Sequence, residues 1–378
     1  MKVLIAGGGI ASPAAAIALA KTGIASEIYE AYPAGASDDT GAFLTLTANG
    51  QDALDAIGAG DQVRELSFPA RRLRLFDSAG AKLADVPLGR GGRAASRSIG
   101  RAALSHVLRG IAVTREIPVR YGKRLVSASP DPGGGITAGF SDGSSARGDL
   151  LIGADGIHSP VRAMIDPCAP APRYTGLVIA TGYAPAQAER SEGYSMYYGT
   201  RAFFGCTSGP DDRTWWFARI PADQATAARL TASPDADLIA RSYDGDATPA
   251  ADLIRATGRW PLTVTQARDI AHLPIWSRDK MIVIGDAAHP VSPMTTQGAS
   301  LAIEDAAILA KCLRDVSPVS EALRVFEALR RERVEEIARS GASGSNPTPP
   351  APGPRTGPRP SPVLDHHIDW DKPVSLPG

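Results

Sequence analysis

Met1-Lys2-Val3-Leu4-Ile5-Ala6-Gly7-Gly8-Gly9-Ile10-Ala11-Ser12-Pro13, followed by the apolar stretch Ile24 to Tyr29 and then Glu30, is the segment that decides the fold. Its pattern is a strand, a glycine turn, a helix over Pro13 to Lys21, a stop at Gly23 and a second strand. Gly7 and Gly9 allow a tight turn and let backbone N–H groups approach a pyrophosphate at a helix N-terminus, while Glu30 can accept hydrogen bonds from a ribose. The stretch predicts a dinucleotide site; a plain glycine-bearing turn is the competing reading. A full G-x-G-x-x-G needs glycine at 12, where this chain has Ser12, so close helix packing falls to a slightly larger side chain. Pro13 is tolerated in the first helical turn because its missing N–H would have been unpaired there.

The 378 residues, 43% apolar and 21% charged, are enough for a large core and suggest two structural domains or one elaborated one. Forty basic residues balance forty acidic ones, which argues against nucleic acid as the main partner. The apolar start is broken by Gly7 to Gly9 and by Ser12-Pro13, so neither a membrane span nor a signal peptide is expected. Cys168, Cys206 and Cys312 are odd in number, scattered and without metal-ligand spacing; a cytoplasmic setting and no metal site are expected.

Further along, Thr47 to Ile57 reads as a helix, Arg72 to Val86 as an inserted hairpin around Ser78-Ala79-Gly80, and Arg101 to Leu108 as a helix. Pro118 to Val126 and Ile136 to Phe140 are strand-like, and Asp149 to Gly153 is a buried-strand pattern running into Gly153-Ala154-Asp155-Gly156. Leu177 to Tyr183, Tyr194 to Tyr198, Ala202 to Cys206 and Trp215 to Ile220 predict an antiparallel sheet, with Asp235 to Tyr243 and Ala250 to Ala256 as helices at its edge. Lys280 to Ile284 returns to a buried strand ending at Gly285-Asp286, and a helix follows from Ala299 to Leu313. Ser317-Pro318 reads as the capped start of a last helix, and Ser340 to Pro362 as a linker rich in proline, glycine and serine. Docking through Leu364, Ile368 and Trp370 and disorder are both open for the final piece.

The glycine turn, Gly153-Ala154-Asp155-Gly156 and Gly285-Asp286-Ala287-Ala288-His289-Pro290, in that order, resemble the FAD-dependent aromatic monooxygenases of the para-hydroxybenzoate hydroxylase type over roughly residues 1 to 340. The resemblance implies an α/β fold: a Rossmann-type FAD-binding domain from 1–65, 98–165 and 275–340, an interleaved β-rich substrate domain from 66–97 and 166–274, a C-terminal helix, and a Pro-rich tail over 341–378. It implies that Gly7, Gly9, Ile10, Ala11, Ser12 and Glu30 serve the ADP end of FAD, with Val126 also on the cofactor. Asp155 would support the pyrophosphate, Arg101 the flavin phosphates, and Asp286, Gly298 and Ala299 the ribityl chain and ring. Thr296 stands where that family usually has glycine, and Ser300 where asparagine is common, which bears on how closely the loop approaches the flavin.

Asp286 also has a reading of its own, since a carboxylate accepts hydrogen bonds from sugar hydroxyls that are otherwise costly to bury. A plain turn role remains open for Asp155 and Asp286, and a surface role for Arg101. His289 reads either as a general base or as a shaper of its turn. Tyr197, Tyr198, Arg201 and Trp215 are candidate pocket residues, with core packing as their other reading, and Pro293 is a substrate-side candidate by its family position. No catalytic base is identified.

The implied reaction is hydroxylation of a small phenolic or polyketide-derived aromatic with O2 and NADPH or NADH, through a flavin hydroperoxide. Rivals are a flavin-dependent halogenase or reductase on the same scaffold and a non-catalytic flavoprotein-like binding protein; the halogenase lacks support because no Trp-x-Trp-x-Ile-Pro segment is present. Oligomeric state is not legible.

Overall fold

The computed structural model describes residues 1–36, 43–89, 94–187, 192–342 and 361–375. Its first sheet has five parallel strands in the spatial order Met281–Val283, Leu150–Gly153, Lys2–Ala6, Ala25–Tyr29 and Val119–Arg120, with Ser277–Arg278 added antiparallel at one edge. Val3, Leu4 and Ile5 are fully buried, as a parallel sheet covered on both faces requires. Helix Ala11–Lys21 follows the glycine turn, and its small side chains let it pack closely on helix Gly298–Asp315. It stops at Gly23, whose φ of +77° is the left-handed conformation that lets the amides of Gly23 and Ile24 return to the carbonyls of Ala20 and Leu19.

The second sheet runs in the order Thr263–Asp269, Arg173–Pro185, Arg213–Pro221, Phe203–Ser208, Gly193–Tyr198, Arg72–Phe76 and Lys82–Pro87. The four strands expected to pair antiparallel do so, and the 72–87 hairpin joins them through Arg72–Phe76, which lies parallel to Gly193–Tyr198. The cause is connectivity: these two strands are joined through a long stretch of chain rather than a tight turn, so nothing forces them antiparallel.

Alternation divides this sheet into two faces. Val178, Ala180, Phe204, Trp216 and Ala218 form a second buried cluster with residues of helices Gln224–Ala232, Ala236–Ala240 and Ala250–Arg255. Asp235 to Tyr243 is therefore a short helix continued by a 3-10 turn over Arg241–Tyr243. Ile179, Thr181, Phe217 and Arg219, one residue out of phase with the buried set, open onto a cavity shared with the loop after Met281–Val283. Two three-stranded sheets complete the body, one of Phe43–Leu46, Arg97–Gly100 and Phe68–Pro69, the other of Leu125–Pro130, Ile136–Phe140 and Ser145–Gly148.

The last helix is Val319–Ala342, and Pro318 lies just before it with its carbonyl accepting from the Ala322 amide at 3.1 Å. Proline thus opens the hydrogen-bond ladder rather than occupying the first turn. Most of the expected linker, residues 343–360, lies outside the described residues. Beyond it the chain packs back on the first core through Ile368 and Trp370, both buried, while Leu364 stays partly exposed. No helix among the described residues is long and apolar enough to cross a membrane.

Candidate active site

The glycine turn is built by exclusion. Gly7 has φ +108°, and a Cβ there would lie 2.4 Å from the Ala154 carbonyl oxygen, so the turn closes onto the end of strand Leu150–Gly153 only without a side chain. Gly8, which the sequence reading passed over, is required for another reason: its Cβ would fall 2.3 Å from Glu30 Oε2. The Glu30 carboxylate therefore leans over the turn, with Oε1 accepting from the Tyr32 amide at 2.9 Å. Above Gly9 there is nothing within 4 Å. Helix Ala11–Lys21 begins there with no side-chain cap, so its first amides are free for an anion. Ser12 is fully buried, and its Oγ has no partner among the described residues; it packs the helix rather than lining a cavity.

A cavity of about 110 Å³ starts at this turn and is lined by Gly9, Ile10, Ala11, Ala154 and Gly156. A larger one, of about 300 Å³, lies against the second sheet. Arg101, Asp286, Gly298 and Ala299 line both, so the two are contiguous there. Arg101 opens helix Arg101–Thr114, and its exposed guanidinium has no partner among the described residues.

Of the expected cofactor residues, Gly7, Ser12, Glu30, Val126 and Asp155 line neither cavity. Val126 is 55% exposed on strand Leu125–Pro130, outside both cavities. Asp155 turns its carboxylate away: Oδ2 accepts from the Val161 amide at 3.1 Å at the start of helix Pro160–Ile165, and Oδ1 is buried without a partner. Burial accordingly raises its pKa. Its neighbours Ala154 and Gly156 meet the cavity instead.

Asp286 sits in the 3-10 turn Gly285–Ala287, and no described residue hydrogen-bonds to its carboxylate. Beyond it, Pro293 to Thr296 leads into helix Gly298–Asp315, whose N-cap residue Gln297 provides no side-chain cap. The first amides of that helix carry the positive end of its dipole to the cavity wall. Thr296 has φ +54°: the loop keeps the backbone a glycine would favour, and a β-branched residue bears the strain. Ser300 is explained by its surroundings, since its Oγ lies 2.8 Å from Thr47 Oγ1 and a Cβ on Gly50 would come within 2.3 Å of it, leaving little room for asparagine.

The sheet side of the larger cavity is aromatic and cationic. Phe217 lies 6.1 Å from both Phe43 and Phe203. The Arg219 guanidinium lies over Phe203 and Phe217, 4.9 and 5.2 Å from their ring centres. Of the residues expected to face substrate, Pro293 lines this cavity. Tyr197 does not: it stacks on Phe76 at 4.9 Å, on the sheet face opposite Phe217. Arg201 is exposed and bonded to the carbonyls of Arg241 and Asp244, because it follows the end of strand Gly193–Tyr198 and turns outward. Trp215 and Tyr198 are on the cavity face but outside its lining; Trp215 backs Phe43 at 5.5 Å, and Tyr198 packs on Phe203 at 5.1 Å. The signal that could have found Phe217 and Arg219 was strand alternation read from Trp216 as the buried member.

Beneath the loop lies a buried polar network. Asp305 Oδ2 accepts from the Gly285 amide at 2.8 Å and meets His289 Nε2 at 2.6 Å, while Oδ1 accepts from Arg330 at 2.8 Å. Glu304 accepts from Arg330, Arg333 and Asn49. Opposite charges hold both carboxylates down to about 2 against the upward push of burial. His289 is thus a fixed part of the turn, 7% exposed and packed 5.4 Å from the Trp276 ring, with its Nε2 committed to Asp305.

Residues 1–340 match the family model described as FAD binding domain. The chain is 30% identical over 343 residues to "Aurachin C monooxygenase/isomerase" of Stigmatella aurantiaca, covering 89% of this chain and 87% of that protein. It is also 30% identical over 346 residues to an "FAD-dependent urate hydroxylase" of Klebsiella pneumoniae, covering 89% and 88%. Among solved structures, Klebsiella pneumoniae HpxO complexed with FAD and uric acid superposes with a TM-score of 0.81 at 28% identity, covering 92% of this chain and 90% of that one.

Proposed function

The chain belongs to the FAD-binding-domain family and is an FAD-dependent monooxygenase; from that premise we propose that it hydroxylates a small aromatic or heteroaromatic ring in the cavity between Asp286 and Phe217, with NADPH or NADH as reductant. The observation that carries this reading is the contiguity of two cavities, one at the glycine turn and one walled by aromatic side chains, through Arg101, Asp286, Gly298 and Ala299. An elongated dinucleotide suits such a trough, and a flat ring suits its far wall.

The residues present fit FAD. The open space above Gly9, the uncapped helix at Ile10, the exposed Arg101 and the carboxylate of Asp286 offer donors to phosphates and an acceptor to ribityl hydroxyls. Glu30, beside Gly8, accepts from the adenosine ribose in this reading. Bound FAD supplies the redox and oxygen-activating chemistry. The chain orients the ring against Phe43 and Phe217, excludes water with Ile179, Leu44 and Val291, and stabilises negative charge with the Gly298 and Ala299 amides. Nothing in this division of labour calls for a protein base.

The division into a cofactor part (1–65, 98–165, 275–340) and a substrate part (66–97, 166–274) draws support from a second buried cluster built within 174–264, although Ile270 and Leu273 pack with the first. A cytoplasmic location remains part of this proposal. Purified protein should be yellow and should oxidise NADPH or NADH faster when the right phenol or hydroxylated heteroaromatic acid is added, with one hydroxyl gained by mass spectrometry. Bound FAD with no such stimulation across a broad panel would leave the reductase reading in place.

A further inference from the structure

Ser98, Tyr194 and Thr45 form a run of three hydroxyls that ends at the larger cavity. Thr45 and Ser98 are cross-strand partners on strands Phe43–Leu46 and Arg97–Gly100, and Tyr194 reaches both from strand Gly193–Tyr198 of the second sheet. Its phenol oxygen lies 2.6 Å from Thr45 Oγ1 and 2.5 Å from Ser98 Oγ. Tyr194 is 4% exposed and Ser98 fully buried, whereas Thr45 lines the larger cavity beside Phe43 and Leu44. Among the described residues, neither Thr45 Oγ1 nor Ser98 Oγ has another hydrogen-bond partner.

Three hydroxyls carry three protons, and two hydrogen bonds use two of them. Burial raises the Tyr194 pKa, so the phenol keeps its proton at neutral pH. The order of donation then decides where the third proton is left. Donation from Thr45 through Tyr194 would leave it on Ser98, buried with no acceptor, which costs the full desolvation of an unmet donor. Donation from both flanking hydroxyls to Tyr194 would leave the phenolic proton in the same position. Donation from Ser98 to Tyr194 to Thr45 leaves no buried donor unmet: the spare O–H belongs to Thr45, at the cavity wall.

We propose that Thr45 is a specificity-determining residue that donates its hydroxyl proton to a neutral acceptor on the aromatic substrate, a carbonyl oxygen or a ring nitrogen, with Tyr194 as the positioning residue behind it. The inference rests on the hydroxylase reading and deepens it by naming the substrate class. Thr45 lines the larger cavity only, whereas Arg101 and Asp286 line both, so its hydroxyl belongs to the substrate part of the trough. A simple clamp between the sheets would use the same two hydrogen bonds but would be indifferent to what the ligand carries. The ligand's acceptor is therefore the variable that separates the two roles.

The test uses the FAD-loaded enzyme at pH 7, with binding read as perturbation of the flavin absorbance. Two pairs of rings of matched shape are compared: 4-hydroxyacetophenone with 4-ethylphenol, and 6-hydroxyquinoline with 2-naphthol. The expected result is about 5-fold or greater preference for the acceptor-bearing member in at least one pair, falling to within about 2-fold in Thr45→Val and kept in Thr45→Ser. Preference in the first pair assigns a carbonyl, and preference in the second a ring nitrogen. Tyr194→Phe should keep FAD and weaken the preference, because Thr45 is then no longer oriented from behind. Ser98→Ala should retain the preference, because donation from Tyr194 to Thr45 still leaves the spare proton at the cavity. Equal binding within both pairs, or a preference that survives in Thr45→Val, would overturn the inference while leaving the monooxygenase reading intact. Loss of FAD from Thr45→Val would also overturn it, assigning the hydroxyl to the cofactor or the fold. Loss of FAD from Tyr194→Phe, or an unchanged preference there, would overturn the positioning role and make Tyr194 a clamp. Wild-type protein that binds no FAD would strike the proposed function itself.

Discussion

Asn49 donates to Glu304 Oε1 at 2.7 Å across 255 positions of sequence, and its second amide hydrogen reaches Gln297 Oε1 at 2.9 Å. One side chain thereby ties helix Ala48–Ala56 to the residue that opens helix Gly298–Asp315 and to the carboxylate that anchors the last helix. The cavity loop is therefore held from below by charge and hydrogen bonding, not by apolar packing alone.

Arg330 is the keystone of that arrangement, 1% exposed and bonded to both Glu304 and Asp305. Arg330→Met should leave two buried carboxylates short of their cation and lower stability by about 3–5 kcal/mol. Urea unfolding of the FAD-loaded protein measures it; a loss under about 1 kcal/mol would contradict the network as described.

The same groups set the acid limit. His366, near Glu304 and the cations Arg333 and Arg330, has its pKa lowered from 6.5 to about 4 by burial. The folded state disfavours its proton, so stability falls first as pH drops from about 6.5 towards 4. Glu304, facing Arg330, Arg333, Asn49 and His366, and Asp305, facing His289, Arg330 and the Gly285 amide, are both held at about 2 in the fold. Depressed carboxylate values contribute stability that is fully present above the unfolded values of 4.5 and 3.8 and is lost as pH falls towards 2. Melting temperature against pH should decline in two stages, and Glu304→Gln should flatten the lower one. A single loss confined to pH above 7 would contradict this.

No described residue hydrogen-bonds to the Asp286 carboxylate, so removing it should not disturb the fold. Asp286→Ala should release FAD, and Asp286→Asn, which keeps one acceptor, should retain part of it. The flavin-to-protein absorbance ratio after gel filtration reads both, and a full flavin complement in Asp286→Ala would contradict the role.

What could be read in advance was local. The strand, turn and helix at Lys2 to Lys21 and the Gly285-Asp286 turn follow from apolar runs and glycine, which act over a few residues. Alternation in Arg213–Pro221 was equally visible, but which member of each pair faces the cavity depends on the helices behind Trp216, so Tyr197 and Arg201 were favoured over Phe217 and Arg219. Asn49, Glu304, Asp305 and Arg330 look like ordinary surface residues in sequence; they are buried because distant helices converge on them. Asp155 and Val126 match their motif positions, yet a motif fixes the backbone path rather than where each side chain points.

Thr296 offers a gain rather than a loss. At φ +54° it occupies a conformation costing a non-glycine residue about 1–2 kcal/mol, against roughly 0.5–1 kcal/mol of extra chain entropy lost by glycine. Thr296→Gly should therefore raise stability slightly, by under about 1 kcal/mol, and bind FAD at least as tightly. Differential scanning calorimetry and flavin titration check this; a clear drop in melting temperature would mean that the threonine contacts outweigh the strain.

The segment 361–375 is part of the body. Lys311 Nζ donates to the Asp369, Trp370 and Lys372 carbonyls, and Asp52 accepts from His367 at 2.6 Å and from the Ile368 amide at 2.7 Å. The Trp370 ring is buried with the Lys21 and Arg314 cations over its faces. Truncation after residue 360 would uncover Ile368's site and leave Lys311 with its donors unmet, so it should lower stability by several kcal/mol. Lys311→Met in the truncated chain should recover part of that loss, because the stranded ammonium is then gone. The same substitution in the full-length protein should destabilise it. Chemical denaturation of the four proteins forms a cycle in which the sign of the Lys311→Met effect reverses with the segment; an unchanged sign would mean that residues 361–375 do not hold this lysine.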